Sequence, residues 1–307
     1  MTNNVLLVVD MEGCSGVYDL KNALLCKQKM INEVEYIVFL LKKYGYTCIS
    51  VLDCHNDGLS LKEYCEENGI EFIRHFWSLK NNLDYSFAIL LGFHGKVGSR
   101  GYFSHTIRPD ISNVLLDNIS VGEVTLVRNY LAYYHIPVAF ISGDKSIEEE
   151  LQDYNGIFMC TKKIGEKERD LDDNKKTMDC LLSAALRKQC ISVYEPTPIK
   201  VHLIGPNYSK FLPREIFCVV NNVVMYPNTV NFFENLYCLC MFLNAAENYH
   251  NMRMKVLTGL FKKHDKQAID MDAKASFLLK EKNWRALSDE EILYLTEYAK
   301  GIEGECL

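Results

Sequence analysis

Short apolar runs alternate with amphipathic stretches through the first 145 residues. Val5–Val9 is an unbroken run of Val and Leu, too short for a helix, which predicts a strand buried on both faces. After it, Met30, Val34, Ile37, Val38 and Leu41 recur at three-to-four spacing. Lys42 and Lys43 close the last turn and Gly45 stands where a left-handed cap falls, so a helix is predicted. Cys48–Leu52 reads as the second strand. Ser60 with Glu63 has the capping-box spacing of a helix that ends at Gly69, and Glu71–Phe76 and Phe87–Leu91 read as further strands. A helix over Glu123–Tyr134 then leads into a strand over Pro137–Ser142. This alternation predicts an α/β fold, with a doubly wound, mostly parallel sheet and helices on both faces.

Beyond residue 145 the order changes. A helix around Lys175–Arg187, strands near Ile199–Ile204 and Ile216–Tyr226, and an apolar helix over Asn231–Ala246 suggest a second α+β lobe over residues 146–250. Residues 251–307 are rich in Lys and helix formers, carry a Ser288/Glu291 capping box and end their final helix at Gly301, which predicts a C-terminal helical extension. A chain of 307 residues favours such a division, because single cores stop growing near roughly 250–300 residues.

Composition narrows the class. With 48% hydrophobic and 24% charged residues the chain is globular, which excludes disorder, collagen-like repeats and small disulfide scaffolds. Its 34 Lys and Arg against 40 Asp and Glu leave a net charge of -6, which argues against nucleic acid and anionic membrane surfaces as partners. Lys262–Lys263 then reads as a solvated helix face. Twelve cysteines lie scattered without a CxxC pair, several of them inside apolar runs (Cys54, Cys218, Cys238 and Cys240). They read as small buried hydrophobes of a protein in a reducing, cytoplasmic compartment. The apolar run that ends before Asp10 is too short for a signal peptide or a membrane span.

The reactive side chains stand where the predicted strands end. Asp10 and Glu12 follow the first strand, and residues i and i+2 of an extended chain point to one side, so two carboxylates converge. His55 follows the second strand, His94 follows the strand ending in Leu91-Gly92-Phe93, and Glu123 opens a helix. In a doubly wound sheet the carboxyl ends of the strands form the ligand crevice, so these residues are expected to meet. Taken singly, an Asp-x-Glu pair is as easily a helix cap or a magnesium-type pair, and a lone histidine a structural hydrogen-bonding group. Together they make a mixed nitrogen and oxygen set suited to a divalent transition metal, zinc above all. Five such ligands exceed one tetrahedral site and fit two ions roughly 3.5–4 Å apart, with Asp10, the first residue beyond the buried strand, as the bridge. His105, in a loop flanked by Ser104 and Thr106, is expected in the crevice, where a histidine moves protons at neutral pH, unless it serves only to stabilise its loop by a hydrogen bond.

Val9-Asp10-Met11-Glu12-Gly13-Cys14-Ser15-Gly16 resembles the opening motif of the D-aminopeptidase family of binuclear zinc peptidases, a strand running into Asp-Met-Glu-Gly-x-Ser-Gly. Later motifs agree in order: Asp53-Cys54-His55, Gly92-Phe93-His94, Ser104-His105-Thr106, Gly122-Glu123, and Ile136-Pro137-Val138 through Ser142-Gly143-Asp144. The similarity runs over most of residues 4–245, including Thr161-Lys162-Lys163-Ile164-Gly165. The resemblance implies that Asp10, Glu12, His55, His94 and Glu123 bind two zinc ions, with manganese or cobalt as alternatives, and that His105 is catalytic. It further implies short peptide substrates with an N-terminal D-residue, and a ring-like homo-oligomer, a decamer in that family. Two positions depart from the pattern: Val127 stands where the family usually has Asn, and Lys145 where it usually has a second acidic residue.

The function expected is therefore a metal-dependent aminopeptidase that works by a two-metal hydroxide mechanism, with His105 passing a proton to the departing amine. The alternatives are a binuclear amidohydrolase acting on another small amide, and a non-catalytic ring-forming scaffold.

Overall fold

The computed structural model describes residues 3–263 other than 57, 82–83, 189–192, 205–211 and 214–215, together with residue 294. In chain order the first elements are β1 (Asn4–Val9), α1 (Ala23–Lys43), β2 (Cys48–Asp53), α2 (Lys62–Glu67), β3 (Glu71–Ile73), β4 (Phe87–Phe93), β5 (Ile111–Leu116) and β6 (Ile119–Ser120). Then come α3 (Glu123–Tyr133), β7 (Val138–Asp144), β8 (Ile157–Lys162), α4 (Leu171–Arg187), β9 (Ile199–Leu203), β10 (Cys218–Val220), β11 (Val223–Tyr226) and α5 (Thr229–Lys263). Single 3-10 turns occupy Phe76–Asn81 and Lys145–Leu151.

Six strands form one sheet in the order β3-β2-β1-β4-β7-β8, and each neighbouring pair is parallel. The chain winds outward from β1 through β2 to β3, then returns to β4 on the other side of β1. The strand order therefore reverses between β1 and β4, where an open α/β sheet binds its ligands. Residues Val5–Val9 are fully buried. Val5, Leu7 and Val9 lie in one apolar cluster with Met30, Val34, Ile37 and Leu41 of α1 and Met178, Leu182 and Ala185 of α4. Leu6 and Val8 point to the opposite face. Burial of a Val or Leu side chain is worth about 1.5–3 kcal/mol, so this central strand is firmly anchored. That makes Asp10, the residue that follows it, a fixed point.

The boundary expected at residue 145 is displaced. Ile157–Lys162 pairs with β7 in parallel register, and α4 adds the stripe Met178, Leu182, Ala185 to the cluster that α1 fills. One compact unit accordingly comprises residues 1–109, 113–199 and 227–234, and the other 110–112, 200–226 and the described residues from 235 on. The break expected at 250 is absent too, since α5 runs on to Lys263. The Ser288/Glu291 capping box and the helix end at Gly301 lie outside the described residues.

A second sheet has the order β10-β11-β9-β5-β6. The expected single strand over Ile216–Tyr226 is a hairpin, because Asn221 and Asn222 both adopt positive φ (48° and 61°), the type I′ turn that Asn favours. Asp117 and Asn118 make the same turn between β5 and β6, a hairpin that the expected elements omit. The capping box expected at Ser60 does not form: α2 starts at Lys62 without a side-chain cap. Cysteine burial is mixed, since Cys14, Cys26 and Cys65 are buried while Cys218 is exposed and Cys54, Cys238 and Cys240 are partly exposed. All cysteines among the described residues are free thiols. No helix among the described residues is long and apolar enough to cross a membrane.

Candidate metal centre

Where β1 ends, the Asp10 N–H donates to the Leu91 carbonyl at 2.8 Å, and the next turn passes backbone to backbone over the end of β4, where the Gly13 N–H meets the Gly92 carbonyl at 2.7 Å. A Cβ on Gly13 would run into the Phe93 carbonyl, and one on Gly92 (φ +71°) into the Asp10 carbonyl. Two glycines are needed for this approach, which brings the Asp10 and Glu12 carboxylates beside His94.

Each remaining side chain has its own local support. Asp53, at the end of β2, accepts the His55 N–H at 3.0 Å and the Leu61 N–H at 2.9 Å, which turns the chain so that His55 faces back toward β1. His55 Nδ1 then lies 2.9 Å from Glu12 Oε2 and 3.6 Å from Asp10 Oδ1. His94 Nε2 is 3.4 Å from both Asp10 Oδ2 and Glu123 Oε1, while its Nδ1 donates to the Gly95 carbonyl at 2.9 Å. A carbonyl only accepts, so Nδ1 carries a proton, and Nε2 is the nitrogen that faces the carboxylates. Glu123 opens α3, whose N-cap Gly122 has no side chain. Glu150 steadies that end instead, accepting from the Gly122 N–H at 2.5 Å and the Thr125 hydroxyl at 3.0 Å. The Glu123 carboxylate is thereby left to accept the Ile107 N–H at 2.7 Å and to face His94.

His105 is partly buried, its ring stacked on that of His94 with centroids 4.2 Å apart and planes 12° off parallel. Its Nδ1 donates to the Phe103 carbonyl at 2.7 Å, so Nε2 is its free basic atom. All six side chains singled out in the sequence thus gather at the reversal between β1 and β4. Five of them form two overlapping triads, Asp10 with Glu12 and His94, and His94 with His105 and Glu123, while His55 stands against Asp10 and Glu12. Within each triad the donor atoms lie within 4.8 Å of one another. His105 therefore stands close enough to donate to an ion itself, an option that its loop position left unseen.

This crowded donor set draws in positive charge. Burial, and then the charge of Glu12, push Asp10 up to about 7 from the usual 3.8. His55 and His94 are each pushed up to about 10: burial opposes this, but hydrogen bonds to Asp10 and Glu12 for His55, and to Glu123 for His94, outweigh it. Glu12 and Glu123 move the other way against their own burial, held ionised chiefly by His55 and by His94 respectively. Asp10 Oδ2 is buried and has no hydrogen-bond partner. An orphaned carboxylate oxygen among imidazole nitrogens fits a divalent cation, which replaces the protons the cluster otherwise holds.

Several supports carry no obvious mark in the sequence. Glu33 is fully buried in α1 and accepts the Ser15 N–H at 2.7 Å and the Ser142 hydroxyl at 3.0 Å. A carboxylate on the apolar face between Met30 and Ile37 is the signal that could have exposed it. Asp53 and Glu150 were likewise not singled out. Of the two departures, Val127 is buried in α3 and Lys145 pairs with Glu148 at 2.5 Å.

The model of one protein family, described as D-aminopeptidase, matches residues 4–167. The chain is 27% identical over 157 residues to the D-aminopeptidase of Bacillus subtilis (strain 168), a match over 47% of this chain and 57% of that one, so it spans just over half of the relative's length. Its fold is similar to a solved structure described as the Zn-dependent D-aminopeptidase DppA from Bacillus subtilis, a self-compartmentalizing protease. The TM-score is 0.68 and the identity 18%, covering 78% of this chain and 97% of the other. The segment matched by the family model is more than half of the chain, and it contains every strand end and helix start that brings a side chain to the reversal. The chain belongs to the D-aminopeptidase family.

Proposed function

We propose that the chain is a metal-dependent aminopeptidase that hydrolyses short peptides beginning with a D-residue, and that Asp10, Glu12, His55, His94 and Glu123 hold its two zinc ions. The observation that carries this reading is the convergence of three carboxylates and two imidazoles at a largely buried point, with Asp10 Oδ2 making no hydrogen bond. A bound pair of divalent cations polarises the scissile carbonyl and makes water acidic enough to attack it at neutral pH. The chain's own residues do the rest. Asp10, shared between His55 and His94, bridges the two halves of the site. His105, with Nδ1 tied to the Phe103 carbonyl, uses Nε2 to pass a proton to the departing amine. The zinc dependence and self-compartmentalization named for the Bacillus subtilis protein support zinc as the ion and a ring-like homo-oligomer as the assembly. The free thiols among the described cysteines support a reducing, cytoplasmic setting.

The test is metal analysis of the purified protein together with hydrolysis of D-Ala-D-Ala, of its L-counterpart and of an N-acetylated form, repeated for His105→Ala. The expected result is two equivalents of zinc and cleavage of the free D-dipeptide alone, with turnover reduced about 100-fold or more in His105→Ala at unchanged zinc content. Equal cleavage of the acetylated peptide refutes the aminopeptidase reading, and normal turnover by the variant removes His105 from the reaction.

A further inference from the structure

Lys162 ends β8 with its side chain almost wholly buried (residue 1% exposed), yet its ammonium bonds backbone carbonyls, those of Glu12 and Val17. Three aromatic rings enclose the same nitrogen: Tyr18 at 5.4 Å, Tyr102 at 5.5 Å and Phe103 at 5.2 Å from their centroids. A buried ammonium is costly unless its protons are satisfied, and aromatic faces supply the remaining stabilisation. The partners belong to two separate loops. Glu12 and Val17 belong to the loop that follows Asp10, while Tyr102 and Phe103 precede His105, whose Nδ1 leans on the Phe103 carbonyl. Neighbouring groups hold the first loop alone: the Thr161 hydroxyl donates to the Gly13 carbonyl at 2.6 Å, Asn174 Nδ2 donates to the Ser15 hydroxyl at 3.0 Å, and Glu33 accepts the Ser15 N–H. Among these groups Lys162 is the one that touches both loops.

We propose that Lys162 is a positioning residue that locks the loop bearing Asp10 and Glu12 to the loop bearing His105, so that the two halves of the candidate centre keep one fixed separation. The role rests on the proposed function, since that reading gives the two loops a shared task. The Lys162 ammonium bonds the Glu12 backbone carbonyl and not a carboxylate or imidazole of the candidate centre. Its effect passes through the Glu12 backbone and through the aromatic pair before His105.

The test uses the full chain with Lys162→Met, which keeps the length of the side chain and removes its charge, and Lys163→Met as the neighbouring exposed control. In metal-free protein, hydrogen exchange read by mass spectrometry should quicken at least about tenfold in both residues 11–17 and residues 102–106, with β1 and α1 unchanged and Lys163→Met like the wild type. Zinc affinity, measured by competition with a chromogenic chelator, should fall about 10- to 100-fold. On D-Ala-D-Ala, kcat should fall while KM stays within about twofold, because the substrate-binding surface is untouched. Wild-type exchange in both loops, or loosening of residues 11–17 alone, overturns the proposal. If Lys162→Met fails to fold, Phe103→Leu removes one wall of the enclosure and keeps the ammonium. A smaller quickening in the same two loops supports the lock, and none refutes it. A wild-type protein that takes up no zinc and cleaves no D-dipeptide would refute the proposed function, while the exchange measurement still judges Lys162.

Discussion

Replacing Asp10 by Asn should stabilise the metal-free protein while destroying its response to zinc. Asp10 is buried beside Glu12, and these two effects, burial first, hold its pKa near 7 against 3.8 in an exposed chain. A folded-state pKa above the unfolded value means stability that is complete below pH 3.8 and lost as the pH rises through 7. Each pH unit of displacement is worth about 1.4 kcal/mol, so at pH 8 the ionised carboxylate weighs against folding by about 4 kcal/mol, and at pH 5 by about 1.5 kcal/mol. Asn keeps the shape and removes the charge. Its amide still needs acceptors, so about half of that gain should survive, some 2 kcal/mol at pH 8, which raises Tm by about 4–8 °C in a domain of this size. The assay is thermal unfolding after chelation, at pH 5 and pH 8, with and without zinc. The gap between variant and wild type should widen from pH 5 to pH 8. Zinc at about 100 times its Kd should stabilise the wild type by about 2.7 kcal/mol for each ion bound and the variant far less. A metal-free Asp10→Asn protein that melts lower than the wild type at pH 8, or a gap indifferent to pH, would refute the account of Asp10 as a buried charge that His55 and His94 compensate only in part.

Glu123→Gln should do the opposite to the metal-free protein. Against its burial, His94 holds the Glu123 carboxyl below its ordinary value of 4.5, so its contribution is present above pH 4.5 and lost as the pH falls through the lowered folded value; the variant should lose about 1–2 kcal/mol at pH 7 and progressively less as the pH falls below 4.5, read by urea unfolding. Gly13→Ala should cost about 1–3 kcal/mol and weaken zinc binding together, because its Cβ meets the Phe93 carbonyl and pushes apart the loops after β1 and β4. An alanine variant with wild-type zinc affinity would show that this backbone contact does not set the site.

The central sheet could be read from the sequence because its signals are local. Val5–Val9 is uniformly apolar since both its faces are covered, and the helix over Met30–Leu41 shows one continuous stripe. Elements whose burial follows neither period were harder to see. Within β5 only Ile111 and Val114 are buried, three residues apart in a strand, so no alternation marks it. β8 buries Met159, Thr161 and Lys162, and a strand that ends in a buried lysine reads as the start of a loop. The hairpin at Asn221-Asn222 was hidden by apolar residues on both sides of its turn, although paired Asn residues are themselves a type I′ signal.

The gathering of five of the six side chains was legible for a related reason: Asp10, Glu12, His55 and His94 stand within three residues of a strand end and Glu123 opens a helix, so the sheet alone brings those points together, while His105 reaches them from the loop between β4 and β5. What holds them there was legible only in part. Asp53 lies two residues from His55, and its Asx turn belongs to the same motif. Glu33, Glu150 and Lys162 act across far longer separations, and each is a charge taken out of water, where a sequence pattern reads a solvated face or a cap. Burying these charges is tolerable because loop amides and carbonyls without secondary-structure partners satisfy them. The glycine-rich turns that let the loops approach are therefore also what create the unmet backbone groups: opening the chain at Gly13 and Gly92 to admit the carboxylates obliges distant buried charges to close it again.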